Sequence, residues 1–342
     1  MSPAKIILSM TLLALAPALA QSPVPFYQSA DAVSGMYRSH SAPLAGAFAE
    51  HAPQLVQALQ KHCAGPSALG VARAAWSRTM LAWEGLAAVA VGPLIERRSQ
   101  RSIDFQPMRP DLLRRMLARA PRTQEDMVRV GAPAKGLPAI EHLLWVDPVS
   151  PGTPACTYAL LAAQEVQLEA QSLRTVFDTL TRDPPEGEES AKAFAEFINQ
   201  WLGGLERLRW SGLEKPLREA ATRQAAPDFS RAHSGQTRVA WIASWSALRA
   251  LAVQVNGGSA PVPGLAAAPI ETYLRGRGQL ALADRWRDRV MQSDAAMQRA
   301  DPSDARSVEV AAGALKSLNA LMQAEVAQAL EVSIGFSSSD GD

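Results

Sequence analysis

The sequence predicts an all-α protein, and two observations support that prediction. Apolar residues recur at intervals of three and four along most of the chain, which is the period of an amphipathic helix. The chain lacks runs of alternating apolar and polar residues bounded by Asn-Gly or Asp-Gly turns, the pattern of β-hairpins. We therefore expect packed helical bundles, with the clearest helical periods in residues 55–63, 69–83, 158–180 and 312–330.

The first twenty residues predict export. An apolar run follows Lys5, and the segment closes with Ala-Leu-Ala at residues 18–20, the small-x-small pattern that precedes a signal-peptidase cut. The apolar run is too short to span a membrane. We predict a signal peptide over residues 1–20, cleavage after Ala20, and a periplasmic mature chain without an integral membrane span.

The charge balance limits the kinds of partner. The chain has 34 basic and 33 acidic residues, which gives a formal net charge of +1. Nucleic acids and anionic membranes are bound by surfaces with a basic excess, so we expect neither as the main partner. With 342 residues, 47% of them hydrophobic, the chain is long enough for two bundles or for one large one.

Helix breakers divide the predicted elements. Pro53 is expected in the first turn of a helix. Residues 97–110, RRSQRSIDFQPMRP, have no helical period and predict an ordered loop or short turns. The charged segment DPPEGEES, residues 183–190, has the composition of an interdomain linker. We therefore predict an N-terminal bundle over residues 21–185 and a C-terminal bundle over residues 186–342.

Cys63 and Cys156 are the only cysteines in the chain. In an exported protein an isolated pair favours a disulfide over a metal site, because the compartment oxidises thiols and a structural zinc needs more ligands. Such a bridge would close a long loop, which is worth about 4 to 5 kcal/mol in the ideal chain-entropy description.

The stretch KGLPAIEHLLW, residues 135–145, places an acid and a histidine side by side. Pro138 suits the first turn of a helix, where its missing N–H needs no partner. Adjacent helical residues point about 100° apart, so Glu141 and His142 cannot face one metal ion. Metal pairs on helices use spacings of three or four. The stretch alone therefore does not predict a metal site.

Two other stretches contain candidate site residues. Trp76 and Trp83 share one helix face, where core packing is the ordinary role of tryptophan. The segment RSIDFQP, residues 101–107, places polar side chains in irregular backbone, which is a common setting for a site. A functional and a structural interpretation of this segment both stay open.

Several motifs in a fixed order point to one family. They are AAWSRTMLAWEGL (74–86), GPL (92–94), RSIDFQP (101–107), KGLPAIEHLLW (135–145), Cys-Thr-Tyr (156–158), HSGQT (233–237) and ALEVSIGFSSSDGD (329–342). Together they resemble the imelysin-like proteins of the peptidase M75 family, in particular a periplasmic branch, over nearly the whole mature chain. The resemblance implies two helical bundles with a motif helix near their junction, and a link to iron uptake or iron regulation.

The hallmark motif of that family is GxHxxE. Gly136 and Glu141 keep their places here, but Pro138 stands at the histidine position. His142 does not replace the missing side chain, because it points away from Glu141. The protease and iron roles of the family depend on the histidine–glutamate pair. The absence of the histidine therefore argues against metal binding at this motif and against peptidase activity.

We therefore expect an exported, non-enzymatic protein associated with iron acquisition or homeostasis, which binds a small ligand, a metal or a partner at the bundle junction. Other periplasmic or envelope iron-uptake proteins are the expected partners. Iron or another divalent metal is the cofactor that the family suggests, with Glu141 as its candidate ligand. The predicted site residues are Glu141, Arg101, Gln106, Trp83 and Ser234.

Glu141 and Ser234 have predicted roles in the site, and two alternatives to a ligand site stay open. Glu141 would accept hydrogen bonds or pair with Arg101, and Ser234 would cap a helix near Thr237 or donate to a ligand. A metallopeptidase remains the main alternative, with His62 or His233 brought near Glu141 to complete the three ligands that a catalytic zinc needs. A purely structural role, in which the motif packs the two bundles together, is the third hypothesis.

Overall fold

A computed structural model of the chain describes residues 24–65, 68–254 and 259–335. In these ranges the regular elements are helical, and the only extended pairing is an isolated bridge between Asp301 and Asp304. The all-α prediction is confirmed. The predicted signal peptide, residues 1–20, lies outside the described ranges. Within the described part, no helix combines the length and the apolarity that crossing a bilayer would require.

The first half of the chain is dominated by three long helices. In chain order its helices are α1 (Ser29–Met36), α2 (Ala42–Ala64), α3 (Leu69–Ala87), α4 (Pro93–Glu96), α5 (Ser99–Ile103), α6 (Pro110–Ala118), α7 (Gln124–Val128), α8 (Gly136–Glu141) and α9 (Pro154–Arg182). The long helix α2 packs along both α3 and α9. The short helices α4 to α8 connect α3 to α9.

The second half continues in the same way. Its helices are α10 (Gly187–Glu206), α11 (Lys215–Arg223), α12 (Thr237–Ala252), α13 (Ile270–Gly276), α14 (Leu280–Arg299), α15 (Ala305–Leu321) and α16 (Ala327–Ala329). Helix α14 packs on α12 and α15. Four π-helical segments interrupt or extend helices, at Tyr37–Ser41, His142–Val146, Arg207–Glu214 and Met322–Val326.

One hydrophobic core runs through both halves. Helix α1 packs on α10, and α3 packs on α12, so contacts cross the predicted boundary between residues 185 and 186. The buried Trp201 forms a hydrogen bond inside the second half, because its indole N–H donates to the Leu248 carbonyl at 2.9 Å. The division into bundles at 21–185 and 186–342 stays a prediction.

Pro53 does not start a helix as the sequence predicts but lies inside α2. An interior proline removes a backbone hydrogen bond and costs about 3 kcal/mol. The apolar face nevertheless continues through it, because Phe48 before it and Leu55 after it are both fully buried. Packing of that continuous face against α3 and α9 outweighs the local cost, which a single-residue helix signal cannot show.

The disulfide joins the end of α2 to the start of α9. Cys63 is bonded to Cys156, as the compartment argument predicts. The start of α9 is fixed by Thr153, whose hydroxyl accepts a hydrogen bond from the Cys156 N–H at 3.3 Å. The Gly152 N–H donates to the Cys63 carbonyl at 3.1 Å. The bridge therefore lies in a region where backbone contacts already hold the two helices together.

Candidate functional site

Helix α8 begins at Gly136, and the backbone there requires glycine. Its φ is +73°, and a Cβ at this position would lie 2.3 Å from the carbonyl oxygen of Ile103. Only glycine accepts both the left-handed conformation and the close approach. Pro138 follows in the first turn, as predicted. This start places Glu141 at the end of α8, where the residue is only 4% exposed.

Glu141 is held by the segment that precedes α12. Its Oε1 accepts two hydrogen bonds from Ser234, one from the backbone N–H at 3.0 Å and one from the hydroxyl at 2.6 Å. A carboxylate that accepts charge-assisted bonds of this kind is fixed in orientation. The contact joins α8 of the first half to a loop of the second half, so Glu141 lies where the halves meet.

Arg231 lies three residues before Ser234 and is buried, with its side chain 1% exposed. Its Nη2 donates to Asp104 Oδ2 at 2.6 Å and to Glu84 Oε1 at 3.0 Å. The other oxygen of Glu84 accepts from the Ser244 hydroxyl at 3.0 Å. Two carboxylates of the first half thus hold one guanidinium of the second half.

Asp104 follows α5 and connects this ion pair to two of the predicted residues. Its Oδ2 also accepts from the indole N–H of Trp83 at 3.2 Å, and its Oδ1 accepts from the side-chain amide of Gln106 at 3.2 Å. Trp83 is fully buried, whereas Gln106 is exposed. We refer to the group at this meeting point as the junction cluster, defined as Glu84, Asp104, Glu141, Arg231 and Ser234.

Burial and the neighbouring charges shift the pKa values of the side chains in the junction cluster. Burial raises the pKa of Glu84; Arg231 opposes this rise and Asp104 adds to it. The pKa of Arg231 lies above its ordinary value, because the charges of Asp104 and Glu84 outweigh the lowering effect of burial. Burial lowers the pKa of Arg207, although the charges of the same two carboxylates act to raise it. With Glu141, three carboxylates face two guanidinium groups, a surplus of one negative charge when all are ionised.

Two atoms of the junction cluster have no hydrogen-bond partner in the described part of the chain. One is the buried Nη1 of Arg231. The other is Oε2 of Glu141, because both hydrogen bonds to this carboxylate end on Oε1. A buried donor without a partner costs about 1 to 3 kcal/mol. An acceptor atom placed at Nη1, from a ligand or an ordered water, would remove this cost.

Four of the five predicted site residues meet at this cluster. Glu141 and Ser234 belong to it, and Trp83 and Gln106 bind it through Asp104. The predicted capping role of Ser234 is not observed, since α12 begins without a side-chain cap and the Ser234 hydroxyl donates to Glu141.

The pairing of Glu141 with Arg101 is not observed either. Arg101 is exposed on α5, and its guanidinium lies 6.0 Å from the ring centroid of Phe105. The side chain of this segment that enters the core is Asp104, which leaves the helical conformation at the end of α5 with φ of −145° and ψ of 55°. The arginine of the cluster comes from a distant part of the chain.

Sequence reasoning missed Glu84 and Arg231, and it mentioned Asp104 only as part of a polar loop. Glu84 directly follows Trp83, and Arg231 stands two residues before the HSGQT motif. Their places within or beside family motifs were the available signal. In a one-dimensional pattern, however, both resemble solvated charges. The packing of α3 on α12 buries Arg231 and half-buries Glu84.

The residues around α8 do not fit a metal ion. Pro138 offers no ligand atom, Glu141 Oε1 is occupied by Ser234, and the cation among the carboxylates is the guanidinium of Arg231. Over residues 24–65, 68–254 and 259–335, no group of three or more His, Cys, Asp and Glu side chains is arranged to hold a metal.

The histidines named for the peptidase alternative have other contacts. His62 Nε2 lies 2.9 Å from the carbonyl oxygen of Val149. His233 is exposed, and its ring centroid lies 6.4 Å from that of His142. Neither forms a hydrogen bond with Glu141 in the described ranges, so the peptidase alternative gains no ligand set from them.

The fold and the site define a class of protein: an all-α chain in which a glutamate after a Gly-x-Pro helix start meets a charge cluster between two halves. The sequence model of one family, Imelysin (Peptidase_M75), matches residues 42–332. The chain belongs to the imelysin family.

Solved structures show the same fold. An imelysin-like protein from Psychrobacter arcticum 273-4 has a TM-score of 0.73 and 17% identity, covering 92% of this chain and 100% of that one. A protein from Parabacteroides distasonis ATCC 8503, described as an iron-regulated protein A precursor, has a TM-score of 0.69 and 13% identity, covering 89% and 95%. No curated protein matches the sequence.

Proposed function

We propose that this chain is an exported, non-enzymatic binding protein, and that its junction cluster binds a small polar ligand. The observation that carries the proposal is the buried Nη1 of Arg231, which has no hydrogen-bond partner in the described part of the chain. Glu141, close enough to raise the pKa of Arg231, has a free Oε2. A ligand that accepts from Nη1 and donates to Oε2 satisfies both atoms at once.

The charge of the cluster narrows the class of ligand. A simple anion would accept from Arg231 but would bring a further negative charge beside the carboxyl groups of Glu84, Asp104 and Glu141, which is costly in a buried site. A zwitterion brings a carboxylate to Arg231 and an ammonium to Glu141 without changing the net charge. We therefore propose a small zwitterionic molecule of the amino-acid type as the ligand.

Iron acquisition or homeostasis is the process that we propose for this protein. The imelysin family supplies one argument, and the similar structure from Parabacteroides distasonis, described as iron-regulated, supplies another. Because the residues at α8 do not fit a metal, the role in iron handling would be exerted through ligand or partner binding. Other envelope proteins of iron uptake are the proposed partners.

Export to the periplasm is part of the same proposal. The predicted signal peptide over residues 1–20 supports it, and so does the disulfide between Cys63 and Cys156. Disulfides persist in oxidising compartments and are rare in the cytosol of most bacteria.

Isothermal titration calorimetry on the oxidised mature protein tests the ligand. We expect one or more free amino acids to bind the wild type and to lose at least tenfold in affinity with Glu141→Gln, which keeps the size of the side chain and removes its charge. Glu50→Gln is the matched control, because Glu50 is an exposed glutamate. The same titrations with ferrous, ferric and zinc ions test the cofactor hypothesis.

The outcomes separate the hypotheses. Tight metal binding that Glu141→Gln abolishes would replace the zwitterion by a metal. Absence of binding by every probe, together with a large loss of stability in Glu141→Gln, would leave the junction cluster with a structural role and refute the proposed function.

A further inference from the structure

Basic residues are concentrated in one part of this nearly neutral chain. Residues 97–130 contain nine arginines and four acidic residues, whereas the whole chain has a formal net charge of +1. We call residues 97–130 the basic segment. It includes α5, α6 and α7, and most of it lies outside the junction cluster. A local surplus of this size creates a positive field that the overall charge does not reveal.

A surface cavity of about 260 Å³ lies within the basic segment, where α6 ends and the chain turns into α7. The exposed side chains of Arg119, Arg122 and Arg129 line it together with Asp126. Its remaining lining includes the buried residues Met116, Pro121 and Val130. The cavity thus has guanidinium groups around an apolar base.

The three arginine side chains form no hydrogen bond or salt bridge with any residue in the described ranges. Other arginines are paired, for example Arg97 with Glu169 at 2.7 Å. Asp126 offsets only one of the three positive charges: its carboxylate accepts the backbone N–H groups of Arg122 and Thr123 at 2.9 and 3.1 Å and interacts with the charge of Arg129. Three cations and one committed carboxylate leave the cavity with a positive surplus.

We propose that this cavity binds phosphate groups, presented by an anionic lipid headgroup or by a free phosphorylated molecule. The guanidinium fork donates in pairs to phosphate oxygens, and three forks around one opening can satisfy several oxygens together. The cavity is smaller than the roughly 300 to 1,000 Å³ typical of pockets for drug-sized ligands, so it suits a headgroup-sized anion.

An apolar residue beside the cavity favours the lipid source. Val128, directly before Arg129, is 77% exposed. Arginines next to an exposed apolar side chain are typical of surfaces that meet the headgroup region of a membrane. Each basic residue near an anionic bilayer contributes about a fivefold gain in affinity.

Vesicle sedimentation and calorimetry test the proposal with the mature protein. The test variant is Arg119→Gln/Arg122→Gln/Arg129→Gln. The control is Arg78→Gln/Arg299→Gln/Arg306→Gln, which removes the same charge from exposed positions outside the basic segment. The probes are phosphatidylcholine vesicles with and without phosphatidylglycerol, and inorganic pyrophosphate in solution.

We expect the wild type and the control to bind phosphatidylglycerol vesicles, and the test variant to bind about a hundredfold more weakly. Binding to pyrophosphate instead of vesicles, with the same loss in the test variant, would support a free phosphorylated ligand. The proposal is overturned if the wild type binds neither probe, or if the control variant loses as much affinity as the test variant. Unchanged circular dichroism of both variants shows that the fold is intact.

Discussion

Replacing Asp104 by asparagine removes one charge from the buried ion pair while preserving the shape of the side chain. Oδ2 of Asp104 accepts from Arg231 at 2.6 Å and from Trp83 at 3.2 Å, and Oδ1 accepts from Gln106 at 3.2 Å. An asparagine has only one acceptor oxygen, and its amide group is a donor. Turned one way, the amide group meets the donors of Arg231 and Trp83; turned the other way, it meets the Nε2 of Gln106 until that exposed amide also turns.

The expected cost follows from the remaining contacts. Removing one partner of a buried ion pair costs about 3 to 5 kcal/mol. Because Glu84 still accepts from Arg231 at 3.0 Å, we expect Asp104→Asn to cost about 3 kcal/mol of unfolding free energy, near the lower end of that range. Urea denaturation of the oxidised protein at neutral pH measures it, with the slope m checked for constancy.

A surface pair provides the control for this prediction. Arg285 and Glu325 form a salt bridge in which the side chains are 55% and 43% exposed. Glu325→Gln should cost less than about 1 kcal/mol, because exposed pairs are screened by solvent.

A double-mutant cycle tests the coupling itself. Arg231→Met together with Asp104→Asn should cost less than the sum of the two single changes, since the double variant no longer leaves Arg231 or Asp104 charged opposite the other's lost partner. The loss of Arg231 from Glu84 is the same in the single and the double variant, so it cancels in the cycle. A cost below about 1 kcal/mol for Asp104→Asn, or strict additivity in the cycle, would refute the claim that this ion pair ties the two halves together.

Three further results are expected. Gly136→Ala should cost at least about 2 kcal/mol of unfolding free energy by urea denaturation, because its Cβ would lie 2.3 Å from a backbone oxygen. Gly152→Ala, at a similar φ of +72° but with open space around it, should cost only about 1 kcal/mol, and equal costs would contradict the steric argument. Cys63→Ala/Cys156→Ala, which opens a bridge across 93 positions, should cost about 2 to 5 kcal/mol in the same assay, and an unchanged midpoint would contradict it. Burial lowers the pKa of His40 from 6.5 to about 4, so the unfolded chain binds more protons than the folded chain between these pH values. The free energy of unfolding should therefore fall by at most about 3 kcal/mol as the pH drops from 6.5 to 4. His40→Gln should reduce this dependence on pH, and a dependence equal to that of the wild type would count against burial of His40 as its cause.

The helices were predictable because their signals are local. The apolar period that places α3 and α9 is visible in any window of about fifteen residues. The start of α8 was predictable for the same reason, since glycine and proline impose their backbone preferences on their immediate neighbours. Pro53 shows the limit of local rules, because burial of the α2 face on both sides of it overrides its tendency to end a helix.

The candidate site was only partly predictable. Glu141, Trp83, Gln106 and Ser234 could be named because they stand in recognisable motifs. Their common partners could not be named from the sequence, since Arg231 lies 127 positions from Asp104 and 147 positions from Glu84. A pairing of that separation leaves no periodic trace in the sequence, and the predicted pairing of Glu141 with the nearer Arg101 is not observed.

By itself the sequence determined the helical class, the family resemblance and a lone motif glutamate, and it favoured the pairing of two isolated cysteines, because each depends on neighbouring residues or on a count. Only the tertiary structure decided what that glutamate binds. The packing of α3 on α12 buries Arg231 and Asp104 and half-buries Glu84, and this loss of water turns three ordinary surface-type residues into an ion cluster beside Glu141.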